Sequence, residues 1–355
     1  MTRRGFLQWS SGLAAISAAG ARVKIPLGLD AYSVRAFRWK ALQLIDFAAR
    51  LKLDSLQMSA PGDYESLDLA HLEKVRKRAK EAGIALDAAI GCITPTTKSW
   101  GKRTDKPEEY IAAGLKVAKA LGAKAMRCFV GGPADRPIEP HFLPTLKVLR
   151  AVKPRLLDEG VKLAIENHGD FLATELKTLI EEAGPEAVGC CLDTGNPISV
   201  LEDPLYTLEV LAPHVVTSHI RDSVVYEHPR GAAFQWVALG DGSIDFKEWT
   251  RRFAELCPGV PMQLEIITGR PPQVLPFLEP DFWNQFPNKR GAELARFLKL
   301  VRDGHPFTGS MMIAGPGPQP PEYEAALREQ QRVDIERSAD YARRVLGVGN
   351  SQQQT

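Results

Sequence analysis

Four polar side chains close four successive apolar runs in the second half of the chain. "KLAIE" stops at Glu166, "GCCLD" at Asp193, "VVTSH" at His219 and "PMQLE" at Glu265. Each is the first strongly polar residue after an apolar approach. Any one of these acids alone would read as a salt bridge at the end of a strand. Three carboxylates and an imidazole gathered at one point repel one another unless a cation lies among them. An O/O/O/N donor set suits a divalent ion, Mn²⁺ first, then Mg²⁺ or Co²⁺, with Zn²⁺ less favoured by so many carboxylates. Beside a carbonyl, such an ion makes the neighbouring carbon-bound proton easier to remove, and a carboxylate within reach can take it.

For these side chains to meet, the four runs must be neighbouring strands that end on the same side. The chain has that rhythm throughout. "IPLGLDAY", "SLQMSA", "ALDAAIGCI" and "AKAMRCFVGG" precede the strand ending at Glu166, and each is followed by a helical segment such as "KALQLIDFAARLKL" or "EEYIAAGLKVAKALG". The helical segments space apolar residues at three and four, as one face laid on a sheet requires. Several stop at glycine (Gly83, Gly122, Gly160, Gly184), which supplies the left-handed conformation that ends a helix. The strands are short and apolar, as parallel strands covered on both faces are. Eight such units predict an α/β fold, a (β/α)₈ TIM barrel whose active site lies at the C-terminal strand ends. An open doubly wound sheet is disfavoured, because no G-x-G-x-x-G follows the first strand and no phosphate loop occurs.

Three segments follow from this reading. Residues 1–21 look like a twin-arginine signal peptide: Arg3 and Arg4 precede a short small-residue stretch, and Ala19-Gly20-Ala21 offers a cleavage site. That implies an exported, periplasmic protein. Residues 22–304 hold the barrel. Residues 305–355 form a Pro/Gly linker and a C-terminal helical extension with too little apolar material for a second domain. No stretch is long and apolar enough for a membrane span. Of the 355 residues 45 are basic and 43 acidic, a net charge of +2 that gives no general pull toward nucleic acid. The five cysteines form no C-x-x-C pair and lie mostly in apolar runs, so buried thiols are expected.

"LAIENHGD", "LDTGN", "SHIRD" and "LEI" resemble the strand-end motifs of the xylose-isomerase-like sugar isomerase/epimerase superfamily, over roughly residues 25 to 303. The resemblance implies that Glu166, Asp193, His219 and Glu265 bind one divalent metal. It implies too that Glu166 and Glu265 are the catalytic pair, exchanging protons with a sugar from opposite faces. His168 shares the inward parity of Glu166 and is a candidate substrate partner, whereas Asn167 points away as a brace. Asp222 matches an H-x-x-D pattern and is expected to orient a ligand or a loop. The match has departures. Asn196 stands where ketose 3-epimerases of this type carry a substrate-binding histidine, and Val225 where they carry an arginine. Arg221, Arg127 and Arg230 are the alternatives for binding substrate oxygens, and Trp100, Phe129, Tyr32 and Trp236 for packing on a sugar ring. Asp245 is placed to cap the helix that starts at Phe246.

The expected function is a metal-dependent isomerase or epimerase acting on a ketose or keto-sugar through an enediolate. A lyase or dehydratase of a keto-sugar or keto-glycoside is the alternative, since a β-leaving group can depart from the same intermediate. A sugar-binding barrel without catalysis is the reading from another class, opposed by the intact four-residue set. A nucleic-acid endonuclease is opposed by the balanced charge. The expected partner is a small sugar, and a homo-oligomer is compatible with the sequence.

Overall fold

The computed structural model describes residues 25–315 and 317–349, so the expected signal peptide at 1–21 lies outside the described residues. Eight parallel strands form the barrel: β1 (Leu27–Asp30), β2 (Ser55–Gln57), β3 (Ala85–Cys92), β4 (Ala125–Phe129), β5 (Lys162–Glu166), β6 (Val188–Asp193), β7 (Val215–His219) and β10 (Met262–Leu264). They are hydrogen-bonded in the order β10-β1-β2-β3-β4-β5-β6-β7. The barrel closes just beyond β7, where Ile220 N donates to Gln263 O at 2.8 Å and Glu265 N donates to Ile220 O at 2.9 Å. Helices α1 (Ala41–Arg50), α2 (Leu69–Glu81), α3 (Pro107–Leu121), α4 (Glu139–Glu159), α5 (Ala173–Ala183), α6 (Pro204–Leu211), α7 (Phe246–Leu256) and α8 (Gly291–Asp303) follow the barrel strands, and α9 (Pro321–Arg344) ends the fold.

The helices lie where their apolar spacing puts them. In α1, Ala41, Leu44, Ile45, Phe47 and Ala48 are buried; in α7, Phe246, Trp249, Thr250 and Phe253 are, with Trp249 stacked on Phe253 at 4.9 Å. Asp245 caps α7 by accepting from Glu248 N at 3.1 Å. Gly160 ends α4 at φ 63°, a conformation that costs an ordinary side chain energy. All five cysteines are buried free thiols.

The barrel interior is more polar than its apolar strands suggest. Ser55 Oγ donates to Gln263 Oε1 at 3.2 Å, Gln57 Nε2 to Thr217 Oγ1 at 3.2 Å, and Thr217 Oγ1 to Asp87 Oδ2 at 2.8 Å. Gly28 makes room for this chain: a Cβ there would lie 1.9 Å from Gln263 Oε1 and 2.2 Å from Ser55 Oγ. The network meets the strand-end residues at His219, whose Nε2 lies 2.7 Å from Gln57 Oε1.

One region differs from expectation. Where a strand-then-helix rhythm puts a helix directly after the seventh strand, the chain first forms an antiparallel hairpin, β8 (Asp222–His228) and β9 (Gly231–Val237), joined by β11 (Gln273–Leu275) from the segment after β10. Val225, Phe234 and Leu275 from this small sheet pack on Phe282, Phe286, Phe297 and Val301, giving a second core beside the barrel mouth. Apolar residues on both strands had a side to bury, and α8 supplied the partner surface.

Helix α9 packs on the barrel. Gln331 Oε1 accepts from Ala36 N at 2.9 Å, Ser338 Oγ accepts from Leu239 N at 3.1 Å, and Ile335, Ala339 and Ala342 are buried. In the linker before it, Ala314 N donates to Gly269 O at 2.8 Å. No helix among the described residues is long and apolar enough to cross a membrane.

Candidate metal centre

The strand ends bring Glu166, Asp193, His219 and Glu265 together: one donor atom from each lies within 4.8 Å of the others. Parallel registry sets their level, pairing Glu166 with Cys191 and Asp193 with His219. All four are buried, with exposures of 0, 1, 1 and 6%. Buried carboxylates at this density need compensating charge. Part comes from two arginines. Arg127 donates to Glu166 Oε2 through Nε at 2.5 Å and through Nη2 as well. Arg221 donates to Asp193 through Nη2 at 2.5 Å and Nε at 3.2 Å, and its Nη1 lies 3.4 Å from Glu265 Oε2. Asp193 Oδ1 accepts further from Gly195 N and Asn196 N at 2.7 and 2.6 Å.

The imidazole shows what is still unsatisfied. His219 Nε2 lies 2.7 Å from Gln57 Oε1. Gln57 gives its amide N–H to Thr217, so its carbonyl oxygen faces the ring and accepts the Nε2 proton. In the neutral ring that leaves Nδ1 as the free lone pair, as hydrogen-bond partners commonly arrange for a metal-binding histidine. Nδ1 is buried without a hydrogen bond, 3.4 Å from Glu166 Oε2 and 3.6 Å from Glu265 Oε1. Glu265 Oε2 is also buried without a hydrogen bond. An orphaned imidazole nitrogen between two carboxylates fits a divalent cation.

Burial alone would push the Glu166 carboxyl up, but Arg127 and then His219 outweigh it and hold Glu166 well below the usual range. Burial raises Glu265 to about 7, against Arg221 and His219. Burial would lower the His219 imidazole, yet with no cation in place Cys191, Glu265, Glu166 and Asp30 raise it well above its usual value, so Nδ1 then holds a proton that a bound cation would replace. Without a cation the two glutamates are therefore unequal: Glu166 is held ionised, and Glu265 can carry a proton at neutral pH.

A cavity of about 690 Å³ opens above these residues, lined among others by His168, Asn196, Arg221, Phe129, Tyr32 and Trp236. His168 stacks on Phe129 with centroids 4.4 Å apart, and its Nδ1 lies 2.8 Å from Gly131 O. Asn196 Nδ2 donates to Glu166 Oε1 at 3.1 Å. Asn167 clasps the backbone of Asp193 from both sides, at 2.9 and 2.7 Å. Asp222 accepts from Gly240 N and Gly242 N at 3.0 and 3.1 Å, so it braces a loop. Two expectations are corrected. Trp100 is outside the cavity: its short helical turn buries it against Tyr110, with ring centroids 6.1 Å apart. Arg230 sits at the hairpin turn and pairs with Glu279 on the surface.

The strand-end rule, applied to the last four strands, passed over the first two. Asp30 ends β1, is fully buried, and places Oδ2 3.5 Å from His219 Nε2. Gln57 ends β2. Arg35 and Arg270 also line the cavity, from segments with no motif to mark them.

The model of the family described as xylose isomerase-like TIM barrel matches residues 45–299. A 3-oxo-isoapionate decarboxylase from Pectobacterium atrosepticum is 28% identical over 232 residues, 64% of this chain and 74% of that protein. Among solved structures, a D-psicose 3-epimerase superposes with a TM-score of 0.57 at 17% identity, covering 91% of this chain and all of that one. The 3-keto-D-glucoside 4-epimerase of E. coli gives 0.53 at 14% identity, covering 68% of this chain and 92% of that one. Identities this low show the fold alone. With its family model matched from the first helix to the eighth, the chain belongs to the xylose isomerase-like TIM barrel family.

Proposed function

We propose that this chain is a divalent-metal-dependent isomerase or epimerase that acts on a ketose or keto-sugar through an enediolate. The observation that carries the reading is the orphaned His219 Nδ1, with Glu166, Asp193 and Glu265 around it and its other nitrogen held by Gln57. Bound among these four, a cation, Mn²⁺ by preference, supplies electrostatic stabilisation of the substrate oxygens as charge develops on them. The residues divide the remaining work. Glu265, whose Oε2 makes no hydrogen bond, takes the proton from the carbon beside the carbonyl and returns it. Arg127 and Asn196 fix the orientation of Glu166, the second carboxylate of the pair. His168, Phe129 and Trp236 wall the cavity and exclude water from the carbanionic carbon.

A second reading, loss of carbon dioxide from a keto acid, is favoured by the resemblance to the Pectobacterium decarboxylase. It uses the same intermediate when the carbon beside the ketone carries a hydroxyl, since departure of CO₂ from it then also leaves an enediolate for Glu265 to protonate. The departures from ketose 3-epimerases leave room for it: Asn196 is engaged by Glu166, and Val225 is buried in the small sheet.

Incubation with Mn²⁺ and a panel of keto-sugars and keto-acids in D₂O tests both. Isomerase or epimerase action puts solvent deuterium on carbon with no loss of mass balance; the second reading requires CO₂ release. Glu265→Gln is expected to abolish exchange while keeping the fold. Exchange at wild-type rate in that variant refutes the role given to Glu265. We further propose export, on the strength of Arg3 and Arg4; cell fractionation that finds the full-length chain only in the cytoplasm refutes it.

A further inference from the structure

The cavity carries more positive charge than its carboxylates require. Around the proposed centre, Glu166, Asp193, Glu265 and Asp30 are matched by Arg127, Arg221 and one divalent cation. Three more arginines line the same cavity: Arg35, Arg38 and Arg270. None of them has an ion-pair partner among the described residues. Arg35 is half-buried and donates only to backbone carbonyls, Nη1 to Tyr32 O and Nη2 to Thr268 O, both at 3.2 Å. Its guanidinium lies 4.8 Å from the centroid of the Tyr32 ring. Arg270 approaches Tyr32 from the other side, Nη2 at 3.5 Å from the phenolic oxygen, and lies 5.4 Å from the Trp236 centroid. The remaining acid that lines the cavity is Asp63, which accepts from the N–H groups of Ser59 and Ala60 at 2.7 and 3.0 Å, so three arginines face one further carboxylate. With the cation bound, the mouth holds surplus positive charge that suits an anionic ligand.

We propose that the substrate is a sugar acid, its carboxylate held by Arg35 and Arg270 at the mouth of the cavity while its keto end reaches Glu166 and Glu265. The inference rests on the metal-dependent reading above and names its substrate class. A guanidinium is matched to a carboxylate in charge and in planar geometry. A phosphate is the other common anion, and barrels of this type hold one with the loop after the last strand and the N-terminus of a short helix. Here that loop runs into strand β11, and the Gly269 N–H is engaged by Met311 Sδ at 3.3 Å. The anchor is made of side chains alone. A carboxylate clamped there keeps its charge, whereas leaving as CO₂ requires it to give that charge up, so the product retains the acid.

The test uses Mn²⁺-loaded full-length protein and three ligands of matched skeleton: D-fructuronate, D-fructose and D-fructose 6-phosphate. Titration calorimetry first reads Mn²⁺ alone, then each ligand. The uronate is expected to bind about tenfold or more tightly than fructose, from charge-assisted hydrogen bonds to two guanidiniums. That preference should vanish in Arg35→Gln with Arg270→Gln, while Mn²⁺ affinity is unchanged. Arg270→Gln alone, at an exposed position, should remove part of it and guards against misfolding of the pair. Absence of Mn²⁺ binding overturns the metal-dependent reading and the charge balance built on it. Normal Mn²⁺ binding with no uronate preference, with the phosphate preferred, or with the preference kept in the double variant overturns the sugar-acid proposal alone.

Discussion

Arg127→Met separates the roles of the arginine and the cation at Glu166. The Glu166 side chain is 1% exposed, and Arg127 gives it two N–H donors. Removing one partner of a buried ion pair costs about 3–5 kcal/mol, chiefly from the charge left behind. Asn196 Nδ2 remains at 3.1 Å and His219 Nδ1 at 3.4 Å, which puts the loss near the lower end, about 3 kcal/mol in metal-free protein. At roughly 2 °C per kcal/mol for a chain of this size, Tm should fall by about 6 °C. Methionine keeps the length and the packing against Phe129, whose ring lies 5.0 Å from the guanidinium. With saturating Mn²⁺ the cation takes over much of the lost compensation, so the same substitution should lower Tm by less than half as much. Differential scanning calorimetry on both proteins, with EDTA and with Mn²⁺, reads all four values. An equal metal-induced rise in wild type and variant would show that no cation sits beside Glu166, and the construction of the site would fail.

Two further predictions concern residues below the centre. Gln57→Leu removes the acceptor that holds the His219 tautomer and should weaken Mn²⁺ binding by about 10–100-fold with little change in Tm of the metal-free protein. Unchanged affinity in equilibrium dialysis would show that Nδ1 is not the ligand atom. Asp87 is pushed up to about 6 by burial, against hydrogen bonds from Thr217 and Gln263. Its folded-state value lies above the unfolded one, so the ionised form opposes folding. That cost grows from about pH 4 to pH 6 and is complete above, at most about 3 kcal/mol. Asp87→Asn should therefore raise Tm at pH 8 and leave it nearly unchanged at pH 4; an equal effect at both would refute the assignment.

The barrel was legible because its signals are local. Each helix carries its own apolar stripe, and Gly83, Gly122 and Gly160 mark three of the stops. Glu166, Asp193, His219 and Glu265 were legible because one rule, the first polar residue after an apolar strand, holds for all four. Asp30 and Gln57 obey that rule too, but strands this short show little contrast between approach and end. The hairpin of β8 and β9 was hidden by expectation: "SVVYEHPRGAAFQWV" alternates around a turn, yet in a βα repeat the next element due was a helix. Arg35 and Arg270 had no local signal at all. They become neighbours only because the barrel closes between β10 and β1, which no spacing along the chain records.

Closure by the tail has a consequence for the order of assembly. Gln331 of α9 holds the backbone at Ala36, one residue from Arg35, and Ala314 of the linker holds Gly269, one residue from Arg270. All four strand-end donors are synthesised by residue 265, and the segments that seat the two arginines come roughly fifty to seventy residues later. A nascent chain thus has its cation donors before it has its finished entrance. The two arginines proposed to anchor the substrate carboxylate are seated last.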